Sequence, residues 1–197
     1  MKSSTMKFGL LLLIPLIMAG CGGTTPATGN PTGGSSRADF LLYDGAAFTI
    51  GYQKDWEKIE KANFTSNVPA ETMVAFRNNL KNEIFTANVN ISQTAIPADV
   101  TAVDFGKSSL LKAKEGLVAF VELSKEDFAF KYKDKTIATI ISGFEGKKSP
   151  SDPIIRFKQL YVVNNGFGYV VTAAYLPGED ESVVKMTDEM LHSFLLK

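Results

Sequence analysis

IIRFKQLYVVNNGFGYVVTAAYL, residues 154–176, sets two long β-rich runs on either side of Asn164-Asn165-Gly166. Asn-Gly at that point is a type I′ hairpin signal, because both central residues of such a turn need positive φ. Residues 147–153 contain Pro150 and Pro153 and read as the hairpin loop before it. Residues 136–144 are apolar on both parities, through Ile137 and Ile141 on one and Ala138, Ile140 and Phe144 on the other, which predicts a central strand. Three consecutive strands therefore form an antiparallel meander.

The segments upstream add strands and a helix. Phe48, Ile50 and Tyr52 alternate with Thr49 and Gly51, and Phe85, Ala87, Val89 and Ile91 alternate with Thr86, Asn88, Asn90 and Ser92. A period of two with one polar face marks a strand that is wet on one side or covered there by something polar. Thr86, Asn88, Asn90 and Ser92 are accordingly the candidate binding surface. Thr101-Ala102-Val103-Asp104 resembles a capping box, after which Val103, Leu110, Ala113 and Leu117 recur at helical spacing up to a stop at Gly116. A closing helix over residues 181–195 gathers Val184, Thr187, Leu191, Phe194 and Leu195 on one face, with Glu179, Asp180 and Glu181 at its positive end. Strands, a helix, a meander and a last helix predict an α+β fold, a central antiparallel sheet flanked by helices.

The N-terminus carries an address. Lys2 and Lys7 precede an apolar run over residues 8–18, far short of the roughly 20 residues that span a bilayer as a helix. The run ends in Met18-Ala19-Gly20-Cys21, which resembles the lipobox of bacterial lipoproteins, although Leu is usual where Met18 stands. The resemblance implies cleavage after residue 20 and diacylglyceryl attachment to the Cys21 thiol. Residues 22–36 are all Gly, Thr, Pro, Ser, Ala or Asn, too polar and small to offset their ordering entropy, so residues 21–37 are expected to form a flexible tether with a reach on the order of 20 Å. Residues 38–197 make one domain of ordinary size. Without Lys2 and Lys7 the mature chain has 19 basic against 21 acidic residues, so the lipid would have to hold it on the membrane unaided by charge.

The composition narrows the chemistry. The full chain of 197 residues has 21 basic and 21 acidic side chains, with no cationic excess to attract nucleic acid. One Cys and one His exclude a disulfide framework, a Cys-based zinc site and a pair of histidine ligands. His192 falls away from the apolar face of the last helix and reads as a solvated side chain. Gly106-Lys107-Ser108 lacks the earlier glycine of a phosphate loop, since Thr101 stands there, and Asp104-Phe105-Gly106 has no accompanying kinase motif. Glu126-Asp127, Glu179-Asp180-Glu181 and Asp188-Glu189 match no calcium-loop spacing and read as solubilising or helix-capping charges. Trp56 either caps a sheet edge or stays half exposed. No catalytic residue, cofactor or metal is expected.

Phe48-Thr49-Ile50-Gly51-Tyr52-Gln53-Lys54-Asp55-Trp56 resembles the aromatic strand and Tyr-Pro-x-x-Trp turn of the PsbP-like family, with Gln53 where that family usually has Pro. Val74-Ala75-Phe76, Ala87-Asn88-Val89-Asn90-Ile91, a helix, the meander, Tyr169-Val170-Val171-Thr172-Ala173 and a closing helix ending in Ser193-Phe194 follow in similar order. The likeness spans residues 40–194 and implies an antiparallel sheet between helices. Family members include extrinsic subunits of the photosystem II oxygen-evolving complex, a cyanobacterial lipoprotein form and other bacterial lipoproteins. A relative outside photosynthesis binds a small GTPase. No family metal-binding motif has a counterpart here. The expectation is a lipoprotein outside the cytoplasm, held on the membrane by lipid at Cys21 and acting without catalysis as a protein-binding or accessory module of a membrane complex. An extrinsic photosystem II assembly or stabilising subunit is the alternative, and a small-ligand carrier or hydrolase without a recognisable motif is the third reading.

Overall fold

The computed structural model describes residues 40–197. Cys21, the expected export signal and the whole of the expected tether lie outside them. A long sheet is built from β3 (Glu57–Glu60), β4 (Thr72–Arg77), β5 (Asn88–Ala95), β6 (Val118–Tyr132), β7 (Lys135–Lys147), β8 (Ile155–Asn164) and β9 (Phe167–Tyr175). It is antiparallel throughout, in the order β3-β4-β5-β9-β8-β7-β6. A second antiparallel sheet pairs β2 (Phe48–Gln53) with β1 (Phe40–Asp44) on one side and the two-residue β10 (Leu195–Leu196) on the other. The helices are α1 (Ala102–Gly116) and α2 (Glu181–His192). The α+β class predicted from the sequence is the class observed.

The large sheet is covered on both faces. On one, Val74, Phe76, Val89, Ile91, Leu160, Val162 and Val171 meet Val183, Met190 and Leu191 of α2 and Phe48 and Ile50 of β2. Trp56 is buried in the same core, so the half-exposed reading of it does not hold. On the other, Leu110 and Ala113 of α1 and Leu117 just beyond it lie with Phe85 on Phe144, Phe157 and Ala174. Phe105 of α1 sits on Ile140, Tyr161 and Val170. Two covered faces explain why the strands from residue 135 onward are apolar on both parities.

The local signals act as the sequence predicts at the turn and at the first helix. Asn165 and Gly166 have φ of 50° and 75°, the left-handed pair that a type I′ turn requires. The Thr101 hydroxyl accepts from the Asp104 amide at 3.1 Å and caps α1. Gly106 serves packing, because a Cβ there would come within 2.8 Å of Ile140 and Tyr161. That close approach accounts for the glycine shared by both look-alike motifs.

Four details differ from the sequence reading. The meander has four strands, because β6 precedes the other three. β6 is an edge strand with few buried positions and two bulges, so neither an apolar run nor a clean alternation marks it. β7 lies one in from that edge, and β9 is nearer the middle. The strand expected from Phe85 begins at Asn88, although Phe85 and Ala87 are buried. The closing helix stops at His192 rather than Leu195. The Ser193 hydroxyl accepts from the Gly51 amide at 2.9 Å and donates to the Met190 carbonyl at 2.7 Å, turning the chain to pair Leu195 and Leu196 with β2.

Candidate functional site

The polar face chosen from the alternation is not a free surface. Asn90 is 0% exposed and Ser92 is buried, while Thr86 and Asn88 are half-buried. The cause is the position of β5, an inner strand between β4 and β9. Register places Asn90 opposite Thr172, Thr172 opposite Gln159, and Gln159 opposite Ser142. These four side chains form a buried polar row between the apolar rows of Phe157 and of Tyr161. The Gln159 amide donates to the Thr172 hydroxyl at 3.0 Å and its carbonyl oxygen accepts from the Tyr161 hydroxyl at 2.9 Å. The Asn90 amide donates to the Thr172 carbonyl at 3.3 Å. Burial drives the Tyr161 phenol well above its ordinary pKa. This row knits strands together and offers nothing to a partner.

Among the described residues, a cleft of about 590 Å³ lies between α2 and the far end of β8 and β9. Its floor holds Arg156, Lys158 and Tyr175, and Asp188 lines it from α2. Strand alternation puts Arg156 and Lys158 on one face, and the Arg156–Tyr175 register brings the phenol beside them. Arg156 bonds Glu145 at 3.1 Å, and Lys158 meets Asp188 at 2.5 Å and Glu126 at 3.6 Å. Burial lowers the Lys158 pKa, but its hydrogen bond to Asp188 and the charges of Asp188 and Glu126 outweigh that, so the net shift is upward. Burial likewise raises the Tyr175 pKa, and Arg156 and Lys158 pull it partly back. Both cations are thus already matched by carboxylates, an arrangement suited to holding charge in place. Sequence reasoning missed this cleft because Arg156 and Lys158 sit in a core strand. Charged residues at i and i+2 in an otherwise apolar run were the available signal.

His192 is exposed, with Nδ1 2.8 Å from the Asp188 carbonyl and its ring edge-on to Phe128. Asp180 caps α2 by accepting from the Ser182 amide at 2.8 Å, and the Ser182 hydrogen bonds hold its carboxyl below the usual range. Among the described residues, no group of three or more His, Cys, Asp or Glu side chains is placed to hold a metal ion, and no helix is long and apolar enough to cross a membrane.

Taken together, a two-helix α+β domain with a long antiparallel sheet and a small second sheet defines the PsbP-like fold class. The structure of cyanobacterial PsbP (CyanoP) from Synechocystis sp. PCC 6803 superposes with a TM-score of 0.56 at 16% identity, covering 85% of this chain and 98% of that one. LpqN of Mycobacterium tuberculosis, described as involved in cell envelope biogenesis, superposes with a TM-score of 0.50 at 10% identity, covering 80% of this chain and 90% of its own. No family model and no curated protein sequence matches the chain. The resemblance read from residues 40–194 thus holds as a likeness of fold.

Proposed function

We propose that this chain is a lipid-anchored lipoprotein outside the cytoplasm, acting without catalysis as a protein-binding or accessory module of a membrane complex. The observation that carries the reading is a complete PsbP-like domain following a single cysteine placed as in a lipobox. Two acyl chains on Cys21 would anchor it stably where a single chain anchors marginally. The likeness to LpqN supports a place in the cell envelope. The paired charges of the α2 cleft and the buried polar row support a module that presents a rigid surface.

Metabolic labelling with palmitate tests the anchor, with label expected in the wild-type chain and lost in Cys21→Ser. Affinity capture of the full chain from native membranes under mild crosslinking tests the accessory role. The same membrane complex should be recovered repeatedly, and recovery of the chain alone would contradict the reading. A second reading, an extrinsic photosystem II assembly or stabilising subunit, draws on the 98% coverage of cyanobacterial PsbP. It requires that photosystem II polypeptides be among the captured proteins.

A further inference from the structure

One end of the domain combines the entry of the chain with exposed aliphatic side chains. Residues 1–39 join the fold at Phe40, and Phe40 pairs with Gln53 at the last residue of β2. The following turn is closed by the Trp56 amide donating to the Gln53 carbonyl at 3.0 Å. The Asn79 side chain donates to the Asp55 carbonyl in that same turn, tying the loop of residues 78–87 to it. Leu80 is 78% exposed on this loop and Ile84 is 61% exposed.

The loop is braced. The Asn78 amide donates to the Ala87 carbonyl at 2.9 Å, closing it at the base. The Asn78 side chain accepts from the Leu80 amide at 3.0 Å and the Asn82 side chain from the Ile84 amide at 2.8 Å. These two turns hold the aliphatic residues outward, while Phe85 between them and β5 is buried in the core. The strand registers place Val118 and Ile154, both exposed, at the same end of the sheet. The loop and the turn it is tied to carry charges of both signs: Lys81 and Glu83 in the loop, Lys54 and Asp55 in the turn.

We propose that this end faces the membrane that carries the anchor, and that Leu80 and Ile84 insert into the lipid interface. The inference rests on the lipidation of Cys21 in the function proposed above. Two aliphatic side chains at a loop tip fall far short of the roughly 800 Å² per partner that a stable protein interface buries. A covalent tether, however, keeps the bilayer at high effective concentration, so weak insertion is enough to fix orientation. The mixed charges make the contact apolar in character and only weakly dependent on salt.

Position-specific quenching on the full, processed chain tests this. Cys21 is the only cysteine, and its thiol is consumed by the lipid, so an introduced cysteine can be labelled selectively. A polarity-sensitive fluorophore is placed on Leu80→Cys and, separately, on Ile84→Cys. Phe167→Cys serves as the matched site, because Phe167 is also exposed but pairs with Ala95 at the opposite end of β5. The chains are reconstituted into phosphatidylethanolamine–phosphatidylglycerol vesicles containing a nitroxide-bearing lipid. Blue-shifted emission and at least about two-fold stronger quenching at positions 80 and 84 than at 167 are expected. Equal quenching at the three positions on vesicle-bound protein overturns the inference and leaves the anchor intact. Failure of the unlabelled chain to float with vesicles overturns the anchor reading, and this inference with it. Crosslinking from position 80 to a protein in native membranes, without lipid quenching, overturns the inference in favour of a protein partner.

Discussion

Gly106 shows how a single residue can resemble chemistry when its reason is space. It belongs to two motif look-alikes, yet what it does is let α1 approach Ile140 and Tyr161. Gly106→Ala gains roughly 1 kcal/mol of helix propensity but overpacks a filled core at a cost of about 1–3 kcal/mol, so the clash prevails. Chemical denaturation should show a net loss of up to about 2 kcal/mol, and a midpoint raised above that of the wild type would mean that the helix simply lifts. The Ser193 hydroxyl, bonded to both Gly51 and Met190, is a second such position. Ser193→Ala leaves the Gly51 amide without its partner and should lower stability by about 1–3 kcal/mol. Of these two, the glycine was visible in the sequence and its meaning was not. A close approach depends on residues 34 and 55 positions away, Ile140 and Tyr161.

Strands and helices reveal themselves in proportion to how clearly burial patterns them. The β8–β9 hairpin was legible because Asn165-Gly166 fixes the turn chemically. β6 was not, since an edge strand with two bulges buries too little to leave a period. β5 taught the opposite lesson: its alternation was real, but its polar half faces a buried row instead of water. That row also makes a test. Gln159→Leu should cost about 2–3 kcal/mol by stranding the Tyr161 and Thr172 hydroxyls, and Tyr161→Phe in the same chain should recover part of it. Additive losses in the double variant would show that Gln159 and Tyr161 are not coupled. The cleft beside α2 escaped notice for a related reason, because Arg156 and Lys158 become neighbours of Asp188 only after β8 meets the helix.

The domain as a unit has a distinct response to pH. Tyr161, Tyr169, Tyr175 and Lys158 all hold their protons more tightly when folded, the phenols through burial and Lys158 through Asp188 and Glu126. A folded pKa above the unfolded one gives stability that is complete below the unfolded value and is lost as pH rises past it. Stability should therefore decline from about pH 10 upward, the ordinary range of Tyr and Lys. Thermal melts from pH 7 to 11 check this, and a flat profile through pH 10–11 would contradict it. The orientation proposed above draws on the placement of Phe40, Leu80 and Ile84 at one end, and it joins the proposed anchor and the fold in one arrangement at a membrane. That proposed arrangement depends on the chemistry of one thiol. Intact-mass and N-terminal peptide mass spectrometry of the protein from native membranes measures that directly. The account predicts a mature chain beginning at Cys21 with a diacylglyceryl thioether, and a free Cys21 thiol or a different first residue would contradict it.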